Sequence, residues 1–153
     1  MLGYVEYLVP IVPPIAGIKL GLGNIAVLAA LVLLKSDGLA AGIMITKVTM
    51  TAMLFSGIGG LAYSIAGGTA SLIVMMIVRR CKSLSAAGIS CAGGAAHMIA
   101  QVAVAACVTW TSEVLLLLPA LMAVGTATGF VNGLVVNLAA GSLKKYIVAE
   151  GIV

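Results

Sequence analysis

Apolar positions in this chain run in long blocks, and charged residues cut the chain into them. Val48 to Val78 contains no charge, nor does Ser83 to Ser112 or Val114 to Leu143. A helix that crosses a bilayer needs about 20 residues. Each block can therefore cross once, and the first can be shared by two helices.

The breaks between blocks define the elements. Residues 1–14 (MLGYVEYLVPIVPP) read as a helix end, because Pro10, Pro13 and Pro14 each lack an amide donor. The stretch before Pro10 is too short to span, so it reads as the stub of a first span or an interfacial segment. A second element is expected over Ile15–Leu34, closed by the polar turn Lys35–Gly38. A third runs over Leu39–Phe55 and ends where Ser56, Gly57, Ile58, Gly59 and Gly60 are expected to break the chain. A fourth covers Leu61–Val78 and a fifth Leu84–Trp110, with a turn at Thr111–Glu113. The sixth, Val114–Leu143, is long enough to be tilted, or broken near Pro119 or Gly125. The fold expected is an all-α integral membrane bundle of five to six transmembrane helices, one transmembrane domain over residues 1–153.

Composition supports this. Sixty-three per cent of the 153 residues are hydrophobic and 8% are charged, and the mean hydropathy is +1.28. A soluble domain carries roughly 25% charged residues. The formal net charge of +4 reads as membrane orientation, which excludes nucleic acid as an expected partner. Lys35, Arg79, Arg80, Lys82, Lys144 and Lys145 fall on one side of the expected topology, with Glu113 on the other. Since Lys and Arg collect in cytoplasmic loops, the C-terminus is expected inside a plasma membrane. The N-terminus lacks the basic region of a secretory signal peptide. Cys91 and Cys107 lie in apolar segments and, like Cys81, are in no CxxC pair, so they read as packing residues. Gly17–Gly21, Ala26–Ala30, Gly125–Gly129 and Gly129–Gly133 have the spacing that lets helices approach closely in lipid. That spacing serves internal packing or the docking of a partner subunit.

Two cations, Lys19 and Lys47, do not fit the set expected on the cytoplasmic side. Lys47 lies nine residues into the third element, about 14 Å along its axis. A lysine at that depth costs about 2.5–3.5 kcal/mol on insertion scales, so it faces the bundle interior or water. It reads as a counter-charge for an anionic ligand, or as a lysine that snorkels or pairs with a carbonyl. Thr51 shares its face at i+4. Lys19 is expected near the outer surface, either as an interfacial lysine or as an attractor of anions, with Asn24 somewhat deeper. His97, the only histidine, and Gln101 share a face of the fifth element. With an unperturbed pKa of about 6.5, His97 suits ligand contact or proton handling, or is a satisfied polar residue. Asn132 and Asn137 read as links between helices.

Several catalytic patterns are missing. The sequence has no Walker A, HExxH or GxSxG motif and only one aspartate, Asp37. Mg²⁺-dependent phosphoryl or prenyl transfer needs clustered carboxylates. No enzyme activity and no cofactor are expected of this chain.

The stretch Pro13-Pro-Ile-Ala-Gly-Ile-Lys-Leu-Gly-Leu-Gly-Asn-Ile25, the pair Leu54–Gly60 and Tyr63–Gly68, and Gly94-Ala-Ala-His-Met-Ile-Ala-Gln101 stand in the order of a family signature. Over nearly its whole length the chain resembles the Gx transporter family, also called heptaprenyl diphosphate synthase component I. That family is similar to the substrate-binding S components of energy-coupling factor (ECF) transporters. The motif of the form PGIKLGLANI maps onto Gly17, Lys19, Leu20, Gly21, Asn24 and Ile25. Lys47 stands where the family commonly has arginine, and Met98 where an asparagine usually follows the histidine. The family usually has a full first helix before the proline-rich turn, whereas only about nine residues precede it here.

The resemblance implies an S-component-like fold with separate scaffold and ATPase partners. It also implies a small anionic vitamin-like or isoprenoid-precursor ligand. Lys19, Asn24, Lys47, Thr51, His97 and Gln101 are the expected binding residues. The alternative is a non-catalytic membrane subunit of an isoprenoid, quinone or flavin electron-transfer system. A purely structural scaffold stands third.

Overall fold

The computed structural model describes residues 23–51, 57–81 and 83–149. These form five α-helices: α1 Gly23–Val32, α2 Asp37–Thr51, α3 Gly57–Val78, α4 Ala86–Thr109 and α5 Leu118–Ala149. A 3-10 segment, Ser112–Leu117, leads into α5. Neighbours pack in chain order, and α1 also packs on α5, which closes the bundle into a ring. Among the described residues, α3, α4 and the run Ser112–Ser142 are long and apolar enough to cross a membrane. The protein is an all-helical membrane protein. Its outward side chains suit hydrocarbon: Ile45, Ile73, Ile77, Val108, Leu116, Val131 and Leu138 are all exposed.

Two boundaries differ from the sequence expectation. Gly57, Gly59 and Gly60 do not break the chain but form the first turn of α3. Glycine weakens a helix in water partly by exposing its backbone to solvent. That cost belongs to a helix interior; first-turn amides have no intrahelical acceptor in any case, so glycine is tolerated there. The expected turn at Thr111–Glu113 is shorter than drawn. Trp110 ends α4 in the left-handed conformation (φ 54°), and the 3-10 segment already begins at Ser112. Near Pro119 the helix changes from 3-10 to α. It continues through Gly125 without a break.

One end of the bundle is closed by polar groups. Lys35 takes a left-handed conformation (φ 52°), and the Ser36 amide returns to the Ala30 carbonyl. Ser36 Oγ then accepts from the Leu39 amide at 3.3 Å, capping α2. Arg79, just past the end of α3, donates to the Leu31 carbonyl at 2.8 Å. Its other terminal nitrogen pairs with Asp37 at 2.8 Å. One guanidinium thus satisfies an orphan carbonyl of α1 and holds the first residue of α2. Inward from this end lies an apolar layer of Val27, Leu28, Leu31, Ala40, Met44, Val48, Leu72, Met75, Ile89 and Val136.

The tightest packing joins α4 and α5. A Cβ on Gly94 would overlap the carbonyl of Gly125, and one on Gly129 would overlap that of Ser90. A Cβ on Gly133 would overlap the Ala87 backbone. The Gly125–Gly129–Gly133 repeat therefore serves internal packing. Cys91 sits in the same seam, its thiol 3.4 Å from the Thr126 carbonyl. Asn132 is buried among these residues, as a link between helices should be. Asn137, Cys81 and Cys107 are exposed, which corrects the reading of Asn137 as a helix link and of the two cysteines as packing residues. Both faces of these helices are apolar, so the sequence pattern does not mark the inward one.

Backbone atoms cannot step aside as a side chain can, so Gly94→Ala should lower stability by about 1–3 kcal/mol. Gly42, in α2, has nothing within 4 Å of its Cβ position. Gly42→Ala should leave the unfolding midpoint unchanged or raise it. Unfolding of both variants in lipid or detergent checks the contrast.

Candidate functional site

The polar residues singled out from the sequence lie at similar depth. Asn24 stands eight residues before Val32, where α1 ends. Lys47 stands ten after Asp37, where α2 begins. Gly67 stands eleven before Val78, the end of α3, and His97 eleven after Ala86, the start of α4. At 1.5 Å per residue all four are about 12–17 Å from the end of the bundle that carries Arg79. A hydrocarbon core is about 30 Å thick, so this depth is near its middle.

The side chains meet there. Lys47 Nζ donates to Asn24 Oδ1 at 2.8 Å. This bond joins α2 to α1 across 23 residues of sequence. The Lys47 ammonium also lies within electrostatic range of the His97 imidazole. The imidazole rests against α3 at Gly67. His97 Nδ1 is buried and has no hydrogen-bond partner among the described residues. Buried polar atoms are satisfied in the great majority of cases, so His97 Nδ1 is an exception among the described residues.

The remaining candidates divide. Gln101 is half-buried one turn beyond His97, farther from the Arg79 end. Thr51 is the last residue of α2, and its side chain lies outside the described set. Lys19 also lies outside the described residues, as do Pro10–Pro14. Sequence reasoning passed over Gly67, one of nineteen glycines. Its only advance signal was its place in the Tyr63–Gly68 motif. The same reasoning took Arg79 only as a mark of orientation and missed its bonds to Leu31 and Asp37.

The chemistry available is a fixed cation, an amide and an imidazole. Together they can hold an anionic or strongly polar group by charge-assisted hydrogen bonds. Among the described residues no three His, Cys, Asp or Glu side chains come together as metal ligands.

A family model described as heptaprenyl diphosphate synthase component I matches residues 1–139. The chain belongs to that family. No curated protein and no solved structure matches it. The match to the heptaprenyl diphosphate synthase component I family covers every residue of the cluster and the Lys19 motif with it.

The Lys47–Asn24 bond can be tested directly. Interhelical hydrogen bonds in membranes are worth about 0.6 kcal/mol on average and up to about 1.7. A double-mutant cycle of Asn24→Ala and Lys47→Met should give a coupling of about 1 kcal/mol in unfolding experiments. A coupling of zero would mean that the two side chains do not interact.

Proposed function

We propose that this protein is a non-catalytic, ligand-binding membrane subunit. It holds a small anionic molecule at Asn24, Lys47 and His97, as the S component of an ECF-type transporter does. The observation that carries this reading is the cluster itself. An ammonium at mid-membrane depth is expensive. Here it lies at the same depth as a buried imidazole nitrogen that no described residue satisfies. Structural polar groups in a bundle usually satisfy one another, so an orphan at the depth of a cation favours binding.

The ligand would be a vitamin-like or isoprenoid-precursor compound, its anionic group near Lys47 and its apolar body against the helices. Gln101 would lie toward the side from which it enters. The apolar layer around Leu28, Leu31, Met44 and Leu72 separates the cluster from the Arg79 end, which supports entry from the opposite side. By the distribution of Lys and Arg, the Arg79 end and the C-terminus would be cytoplasmic in the plasma membrane. Separate scaffold and ATPase subunits would supply the energy.

The family description favours a second reading, in which the chain presents an isoprenoid or quinone to an enzyme or electron-transfer partner. The description names a component of a synthase, and a presenting subunit needs no catalytic carboxylates of its own.

Native mass spectrometry of the protein, gently released from its own host's membranes, separates the two. Under the transport reading, wild type carries ATPase and scaffold subunits and a small anionic mass. Lys47→Met should lower occupancy by that mass about ten- to a hundredfold, the loss of one charge-assisted hydrogen bond of about 1.5–3 kcal/mol. Lys35→Met, in an exposed turn, should retain it. A prenyl lipid or quinone kept equally by wild type and Lys47→Met, with no ATPase present, would overturn the transport reading in favour of the second.

A further inference from the structure

We propose that Gly67 is the positioning residue for His97: its missing side chain is the seat that sets the imidazole at the depth of the Lys47–Asn24 pair. The geometry stands independently, and only its functional consequence rests on the anion-binding reading above. A Cβ at Gly67 would lie 2.8 Å from His97 Cε1 and 2.9 Å from both Nδ1 and Nε2. The three near-equal distances put the Gly67 Cβ position over the flat of the ring, so the imidazole lays its face against the bare backbone of α3.

Two other glycine seats involve α3, and they differ in kind. Gly93 of α4 faces Met75 of α3, with Cγ 2.6 Å from the Cβ position. Gly68 faces Met44 of α2, with Sδ at 3.1 Å. Methionine has three rotatable bonds and fills irregular gaps, so either thioether can move aside. An imidazole is a rigid plane with two torsions, and in a helix one of its three χ1 positions clashes with the preceding turn. A methyl group at Gly67 therefore leaves two responses. The ring swings away, or α3 and α4 separate. Both move Nδ1 relative to Lys47 on α2 and Asn24 on α1. Gly67 thus controls the site without contributing a polar atom to it.

His97 is the only histidine, so the full chain labelled with ¹⁵N-histidine in lipid nanodiscs gives one pair of imidazole nitrogen resonances. Gly67→Ala should shift both from their wild-type positions, while Gly68→Ala leaves them in place. Gly67→Ala should also lower the unfolding midpoint in the wild-type background and leave it unchanged in a His97→Ala background, where the ring is gone. The second comparison decides the matter even where Gly67→Ala alone folds poorly. Wild-type imidazole resonances in Gly67→Ala, or an equal loss of midpoint with and without the ring, would overturn the proposal. Neither readout uses a bound molecule, so failure of the anion-binding reading in the Lys47→Met experiment remains a separate result.

Discussion

Close approach of backbones is the constraint on which this bundle depends. Between helices in lipid there is little hydrophobic drive, because a lipid tail is as apolar as a leucine. What remains is van der Waals contact, and it grows as backbones come nearer. Gly94, Gly125, Gly129 and Gly133 bring α4 and α5 together until a Cβ at any of them would strike the opposite helix. That pair forms one wall of the molecule. On it α3 docks through Gly67 and Gly93, and α1 and α2 complete the ring.

The opposite wall is held by polar groups, which are strong where water is scarce. Arg79 ties the end of α1 to the start of α2, and Lys47 ties the middles of the same two helices through Asn24. These two points fix both the separation and the register of α1 and α2. Between them lies the apolar layer of Leu28, Leu31 and Met44, which keeps the end cluster and the central cluster apart.

Much of this was legible in the sequence, and the failures have a common cause. Block ends gave the helix ends of α4 to within a few residues. Asn24, Lys47 and His97 stood out because a polar group in an apolar block is expensive and needs a reason. Inward and outward faces were not legible, because both are apolar. Hence Asn137 and Cys107 were assigned inward and lie exposed. Gly57, Gly59 and Gly60 misled because glycine's cost falls on a helix interior, whereas these three stand in a first turn. Gly67 and Arg79 were underread for a different reason. A seat is defined by what rests on it, and a staple by both things it joins. Each involves partners distant in sequence, His97 thirty residues away in one case and Leu31 and Asp37 more than forty away in the other.

The division into two walls bears on how the site works. Asn24 and Lys47 belong to the wall held by Arg79, while His97 belongs to the wall built on glycines. Gly67, on α3, is where the second wall's imidazole touches the first wall's neighbour. A molecule that engaged Lys47 and His97 together would bridge the walls, and its binding energy would depend on their spacing. A ligand shifts a conformational equilibrium only by its differential affinity for the two states. On the anion-binding reading, that difference would arise where His97 rests on Gly67, so occupancy of the site would depend on the spacing of α3 and α4.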